Sequence, residues 1–264
     1  MYDFAYHRAR SVEDALSALA SAEDGKLMAG GMTLLPTVKQ RLANPSDIVD
    51  LGGISELSGI REEGGAIVIG ATTTHATVAA DATVRAKIPA LAALAESIGD
   101  PQVRNRGTIG GSIANNDPAA DYPAGLVGLG ATVKTNRREI SADDFFTGMF
   151  ETALDDGEIV TAVSFPVPAK AGYAKFPNPA SRYAVVGVMV SQGSAGTRVA
   201  VTGAAPSVFR VSAMESALGG NFSADAIAGI PVAADDLNAD MHASADYRAH
   251  LVGVMAARAV AAAG

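Results

Sequence analysis

The sequence predicts an α+β chain of three successive segments, residues 1–55, 56–168 and 173–264. Up to about residue 165, short β-rich runs alternate with helical text, the pattern of mixed strand and helix layers. Pro166, Val167 and Pro168 then open a stretch that reads as a linker as far as Gly172. Beyond it, two longer β-rich runs precede three helical ones, which predicts a small antiparallel sheet with helices. No internal repeat is visible.

The individual elements follow from local pattern. In the first segment Ser11, Val12, Glu13 and Asp14 form a capping box. Apolar residues at Val12, Ala15, Leu16 and Leu19 continue it as an amphipathic helix, among strands at 3–6, 26–29 and 47–51. The second segment holds a buried strand at 66–70 and a helix over 89–98 that starts on its proline. Strands at 132–136 and 139–141 flank a turn, and a strand at 158–166 closes the segment. In the third, 183–191 and 197–204 make an antiparallel pair, followed by helices at 211–219, 223–229 and 244–262. The last of these carries Tyr247, Leu251, Val254, Met255 and Arg258 at helical spacing.

Two glycine loops are the most informative text. Gly107, Thr108, Ile109, Gly110, Gly111 and Ser112 open a small-residue loop that runs through Asn115 and Asn116 to a helix start at Asp121, Tyr122 and Pro123. The other consists of Lys26, Leu27, Met28, Ala29, Gly30, Gly31, Met32, Thr33 and Leu34, an apolar run that breaks at a glycine pair and turns helical. Glycine leaves no Cβ between backbone and ligand, and strand, glycine turn and helix start together aim unpaired N–H groups at a phosphate. Neither loop has the G-x-G-x-x-G of a Rossmann site or the G-x-x-x-x-G-K-[ST] of a P-loop, so a nucleotide here is held differently. Taken singly, each is also the text of an ordinary tight turn.

Composition narrows the chemistry. The chain has 264 residues, a net charge of −8, no cysteine and no tryptophan. Zero cysteines remove disulfides, thiolate metal sites and iron–sulfur clusters from this chain together, so any redox centre it holds is organic. Net acidity without a Lys/Arg run argues against nucleic acid. No apolar stretch nears the ~20 residues of a membrane span. The start of the chain, with His7, Arg8 and Arg10, does not read as a secretory signal, so the expectation is cytoplasmic. The four histidines lack metal-ligand spacing, and His75 reads as a helix start. Asp143 with Asp144, Asp155 with Asp156 and Asp235 with Asp236 are sequence neighbours that point apart, so they read as solvated caps.

The wording of both loops goes with further text: Tyr2, Asp3 and Phe4; Arg41 to Pro45; Ile69 to Thr73; Asp100 to Arg104; Tyr183 and Ala184; Tyr247 and Arg248. Together these resemble the FAD-binding medium subunit of the molybdenum hydroxylases, of the aerobic carbon monoxide dehydrogenase and xanthine dehydrogenase type. The similarity runs over nearly the whole chain, and Thr108 to Ser112 is its most family-specific stretch. The resemblance implies a two-subdomain FAD-binding fold of the PCMH, vanillyl-alcohol oxidase-like type, plus a C-terminal flavoprotein domain. It implies noncovalent FAD in the two loops and electrons arriving from 2Fe-2S clusters on a small subunit. Molybdopterin would sit on a large subunit, and the assembly would be a dimer of heterotrimers. Met32 stands where some relatives carry histidine, so a histidyl–flavin bond is impossible there, and a cysteinyl one is impossible anywhere.

The resemblance carries the cofactor site onto Lys26 to Leu34, Thr108 to Ser112, Asn115 and Asp121. It adds Ile159 and Val160, whose strand touches the flavin system through its backbone, and Lys175 near the flavin. Other readings stand beside these. Lys26 is either a cation for the phosphates or a solvated strand-end lysine, Asp121 either accepts from a sugar hydroxyl or caps the helix that follows, and Ile159 and Val160 are also ordinary core positions. After Lys175, the run Pro177, Asn178, Pro179, Ala180 departs from the family's basic text. Because the chain is acidic and a pyrophosphate carries about two negative charges, bulk attraction opposes binding and local N–H dipoles from Gly30 to Leu34 must supply it. Arg104 and Arg106 suggest a docking face for the cluster-bearing subunit, unless they pair with acids of this chain. Gly128, in helical text, is expected to accept alanine. A self-contained flavin oxidase and a flavin-free interaction subunit remain as alternatives.

Overall fold

The computed structural model describes residues 1–194 and 196–263. The chain opens with β1 (Ala5–Arg8), α1 (Val12–Ser21), β2 (Gly25–Met28), α2 (Leu34–Lys39) and β3 (Asp47–Asp50), and the strands form a parallel sheet in the order β1-β3-β2. Ser11 caps α1 by accepting the Asp14 N–H at 3.1 Å. β1 begins two residues later than its text predicts, because Ala5 pairs with Asp47 and the parallel register with β3 then runs to Arg8.

The middle of the chain is built on an antiparallel sheet of order β4-β5-β10-β6-β7. Its strands are β4 (Ile60–Glu63), β5 (Ala66–Gly70), β6 (Thr132–Thr135), β7 (Glu139–Ser141) and β10 (Val160–Pro166). Between β5 and β6 come α3 (His75–Ala80), α4 (Ala82–Lys87), α5 (Pro89–Glu96), α6 (Pro101–Arg104), α7 (Ile109–Asn115) and α8 (Tyr122–Leu129). After β7 follow α9 (Ala142–Phe145) and a two-stranded ribbon of β8 (Phe146–Gly148) and β9 (Glu151–Thr152). The second glycine loop is therefore largely helical: α7 occupies most of it. Asn116 ends α7 in a left-handed conformation (φ 43°) and donates through Nδ2 to the carbonyls of Gly148 and Glu151, pinning the ribbon against the loop. Every residue of α8 is buried, and Gly128 within it abuts Met189. A Cβ there would lie 2.5 Å from Met189 Cγ, so the expectation that Gly128 accepts alanine fails: packing, not helix propensity, decides that position.

The last part is a four-stranded antiparallel sheet of β11 (Lys170–Pro177), β12 (Ala184–Gly193), β13 (Gly196–Thr202) and β14 (Phe209–Arg210), with α10 (Ser212–Gly220) and α11 (Ala245–Ala262) packed on it. β11 replaces the end of the expected linker. Its Gly172 marks close approach rather than flexibility, since a Cβ there would meet the Ala259 carbonyl of α11 at 1.9 Å. The helix expected at 223–229 is a short 3-10 turn, Ala224–Ile227, stopped by Gly229 at φ 76°. On α11 the buried stripe is turned from the expected one. Tyr247 and Arg258 face out, while Arg248 is buried and donates to the carbonyls of Val185 and Gly203 and to Asp240. Asp143 is no free cap either: Arg198 grips both its carboxylate oxygens at 2.9 and 2.8 Å.

Candidate functional site

The β2–α2 loop and α7 face one another across a cavity of about 610 Å³. Seventeen of the expected site residues line it: Lys26 to Leu34, Thr108, Gly110, Gly111, Ser112, Asn115, Asp121, Ile159 and Val160. The loop's geometry comes from two glycines. Gly31 sits at φ 71°, and Gly30 presses on the other loop so closely that a Cβ would fall 1.9 Å from the Arg106 carbonyl oxygen.

What the first loop offers is unspent donors. No acceptor in the described residues takes the N–H groups of Gly30, Gly31, Met32, Thr33 or Leu34. α2 also lacks a side-chain cap at Thr33, whereas Ser11, Thr74, Asp81 and Thr108 each cap their own helices. Five consecutive donors at a helix entrance are a cradle for an anion. The second loop contributes differently from the expectation. Its N–H groups are already committed: Gly110 to the Ala71 carbonyl at 2.8 Å, Gly111 to Thr108 Oγ1 at 3.2 Å and Ser112 to the Thr108 carbonyl at 3.0 Å. It presents instead a small-residue wall, on which the Ser112 and Asn115 side chains have no hydrogen-bond partner among the described residues. A Cβ on Gly111 would meet only Thr108 Oγ1 at 3.0 Å and Ala29 Cβ at 4.0 Å, so it would project into the cavity.

Three expected residues take other parts. Ile109 is fully buried beneath α7, its N–H donated to the Thr73 carbonyl, and does not reach the cavity. Lys175 is spent behind the wall, its Nζ 2.9 Å from the Ser97 carbonyl and 3.0 Å from Asp121 Oδ1. Asp121 does line the cavity but caps nothing. At helical φ and ψ its carboxylate turns to the Tyr173 hydroxyl at 2.5 Å and to Lys175. Burial pushes the Asp121 carboxyl up against the pull of the Lys175 ammonium, and burial with the nearby Asp121 raises Tyr173 well above the usual phenol range. Lys26 pairs with Asp24 at 2.8 Å and is half exposed, which fits its strand-end reading. Ile159 already exchanges both backbone groups with Asn136, so it walls the cavity through its side chain.

Sequence reasoning missed several lining residues. His75, dismissed above, is one: it is the first residue of α3, 4 % exposed, with Nδ1 unpartnered and its ring tilted against Tyr122. Burial, helped by Arg104, lowers its pKa to about 4, so the imidazole stays neutral. Glu158 is another. Arg138, with Thr135 and the Asp155 N–H, holds its pKa at about 2, and this network anchors the turn into Ile159. Neither carries a motif. Arg104 donates through Nη1 to the carbonyls of Ile98 and Gly99 and has no acidic partner among the described residues.

The model for an FAD binding domain in molybdopterin dehydrogenase matches residues 2–168. The chain belongs to this FAD-binding family. The similarity extends beyond the matched part: the chain is 37 % identical to the carbon monoxide dehydrogenase medium chain of Hydrogenophaga pseudoflava, over 98 % of this chain and 96 % of that one. It is also 37 % identical to the nicotine 6-hydroxylase medium subunit of Paenarthrobacter nicotinovorans, with the same coverage. Among solved structures, carbon monoxide dehydrogenase from H. pseudoflava superposes with a TM-score of 0.89 over 99 % of this chain and 97 % of its own, at 37 % identity. Quinoline 2-oxidoreductase from Pseudomonas putida 86 gives 0.89 over 99 % and 97 % at 30 % identity. This FAD-family chain is thus an oxidoreductase subunit with the α+β architecture expected of it. Its cavity fits the cofactor: a run of N–H groups without acceptors among the described residues suits a pyrophosphate, and a wall of small residues around Gly110 and Gly111 stands opposite. No helix among the described residues is long and apolar enough to cross a membrane.

Proposed function

We propose that this chain holds FAD noncovalently in the cavity and serves as the electron relay of a heteromeric, cytoplasmic molybdenum hydroxylase. Electrons come from 2Fe-2S clusters on a small partner subunit and leave to an external acceptor. Substrate is oxidised on a large molybdopterin subunit, and the assembly is a dimer of heterotrimers. When bound, FAD supplies the exchange between one-electron and two-electron transfer. The chain's own residues hold and orient it. N–H groups of Gly30 to Leu34 bind the pyrophosphate, each charge-assisted bond contributing roughly 1.5–3 kcal/mol. Gly110 and Gly111 let the α7 wall approach, Ser112 and Asn115 bond the ribityl or ribose hydroxyls, and Ile159, Val160 and Leu154 exclude water. Asp121, fixed by Tyr173 and Lys175, presents a carboxylate edge to the cofactor's polar groups.

The observation that carries this reading is the run of five unpaired N–H groups facing a wall of small residues. The zero-cysteine composition supports an external electron donor and excludes a cysteinyl link, and Met32 excludes a histidyl one at that place. Acid or heat treatment of the purified complex should release intact FAD into the supernatant. Flavin that stays with the precipitated polypeptide would refute noncovalent binding, and a colourless complex competent in electron transfer would refute the relay itself.

A further inference from the structure

Beside the FAD cavity lies a second recess of about 410 Å³, lined by Ser97, Tyr173, Lys175, Asn178, Pro179 and Arg182 among others. Arg182 also lines the larger cavity, so it belongs to the wall between the two. The recess has two cations and no carboxylate among its lining residues, on a chain of net charge −8. Lys175 is matched by Asp121. Among the described residues the Arg182 guanidinium has no carboxylate partner, and its one hydrogen bond there, Nη1 to the Gly99 carbonyl, is long at 3.5 Å.

The backbone beneath it is held in an uncommon state. Arg182 adopts φ 62°, in the left-handed region that glycine fills without strain. A turn enforces this. Asn178 Oδ1 accepts from the N–H groups of Ala180 and Ser181, Arg182 N donates to the Asn178 carbonyl at 2.8 Å, and Asn178 N donates to Tyr183 O at 2.8 Å. Strain of this kind persists at ligand clamps, where the surrounding structure over-determines it. A planar guanidinium with free N–H pairs is the side chain suited to bidentate oxyanions.

We propose that this recess is an oxyanion site, in which Arg182 grips the carboxylate or phosphate of a small molecule seated beside the FAD cavity. Resting on the relay reading above, that molecule is the external electron acceptor. The binding claim itself needs no redox activity and is tested first. Calorimetric titration of the FAD-loaded complex with inorganic phosphate, and separately with succinate, should show binding that identifies the preferred oxyanion. Arg182→Gly removes the side chain while relieving the backbone, so a loss cannot be laid to misfolding. It should weaken binding about tenfold or more, as losing a charged hydrogen bond implies, with Arg182→Lys intermediate. FAD content is measured in the same samples.

The acceptor role is tested by photoreducing the complex and following flavin reoxidation by an anionic dye, dichlorophenolindophenol, and a cationic one, phenazine methosulfate. The variant should slow the anionic dye about tenfold and spare the cationic one, and phosphate should inhibit the anionic dye alone. Equal phosphate and succinate affinity in wild type and Arg182→Gly overturns the site. Loss of binding with both dyes unchanged, or both slowed alike, overturns the acceptor assignment. Loss of FAD from the variant places Arg182 in the cofactor site and overturns the separate recess. A wild-type complex without flavin would sink the relay reading instead, while the titration would still decide the anion site.

Discussion

Gly111→Val separates cofactor binding from folding, because the structure puts the new atoms in the cavity rather than in the core. Gly111 is the third residue of α7, and its Cβ would meet only Thr108 Oγ1 at 3.0 Å and Ala29 Cβ at 4.0 Å. In the apo chain two small effects oppose each other. Valine gains a few tenths of a kcal/mol of helix propensity over glycine, and disturbing the Thr108 cap costs at most about 1 kcal/mol. Net stability should move by less than about 1 kcal/mol, or roughly 2–4 °C in Tm for a chain of this size. In the loaded chain the branched side chain should overlap the FAD. Overpacking of that kind costs about 1–3 kcal/mol, which raises the dissociation constant roughly 5- to 150-fold. Flavin absorbance per protein in the purified variant, Tm of the apo form and titration with FAD measure all three quantities. Full flavin content at wild-type affinity would show that the α7 wall does not contact the cofactor. A fall in apo Tm beyond about 10 °C would show that the glycine serves folding instead.

The other expectations concern stability. Gly128→Ala should cost about 1–3 kcal/mol by chemical denaturation, since its Cβ falls 2.5 Å from Met189 Cγ; a gain would mean that α8 shifts freely on β12. His75→Leu should flatten the stability profile between about pH 6.5 and 4. His75 has a folded pKa of about 4, so the unfolded chain binds more protons in that window and wild-type stability falls as pH drops through it. Glu158, held at about 2 against an ordinary 4.5, contributes stability that is complete above pH 4.5 and lost as pH falls towards 2. Arg138→Met should weaken that acid dependence, and an unchanged acid limb would refute the pairing. Arg248→Met should cost about 3 kcal/mol by stranding the Val185 and Gly203 carbonyls, and a denaturation midpoint within error of wild type would show that water replaces the guanidinium there.

Much of this molecule can be read from its text, for identifiable reasons. The capping box at Ser11, the proline start of α5 and the apolar run of β5 are local signals, and local signals mark the elements they predict. Two of the errors come from partners distant in sequence. Gly172 and Gly128 read as a linker and a tolerant helix position, yet each is fixed by a neighbour about 60 or more residues away, Ala259 or Met189. The burial of Arg248 is not announced by its text, because its carbonyl partners lie on β12 and just beyond β13. In the cavity the same division holds. The glycine loops announce themselves through φ and close approach. His75, Leu154 and Glu158 reach the cavity only because β5, β9 and β10 converge there, and no spacing rule encodes that convergence.

How an acidic chain accommodates an anionic cofactor is settled by range. Net charge acts over distances that salt screens within roughly 8 Å at physiological ionic strength, whereas an N–H group in contact with a phosphate oxygen is screened much less. A lysine would be the ordinary side-chain solution, yet Lys26 spends itself on Asp24 and Lys175 on Asp121. Backbone donors remain, and they have an advantage beyond charge: Gly30 and Gly31 lock them in place before any ligand arrives, so little conformational entropy is lost on binding. This is why the loop tolerates an acidic surface around it. It is also why Arg182, a cation without a carboxylate partner among the described residues, needs a separate explanation, for on the proposed reading the phosphates of the cofactor take their donors from the Gly30–Leu34 loop.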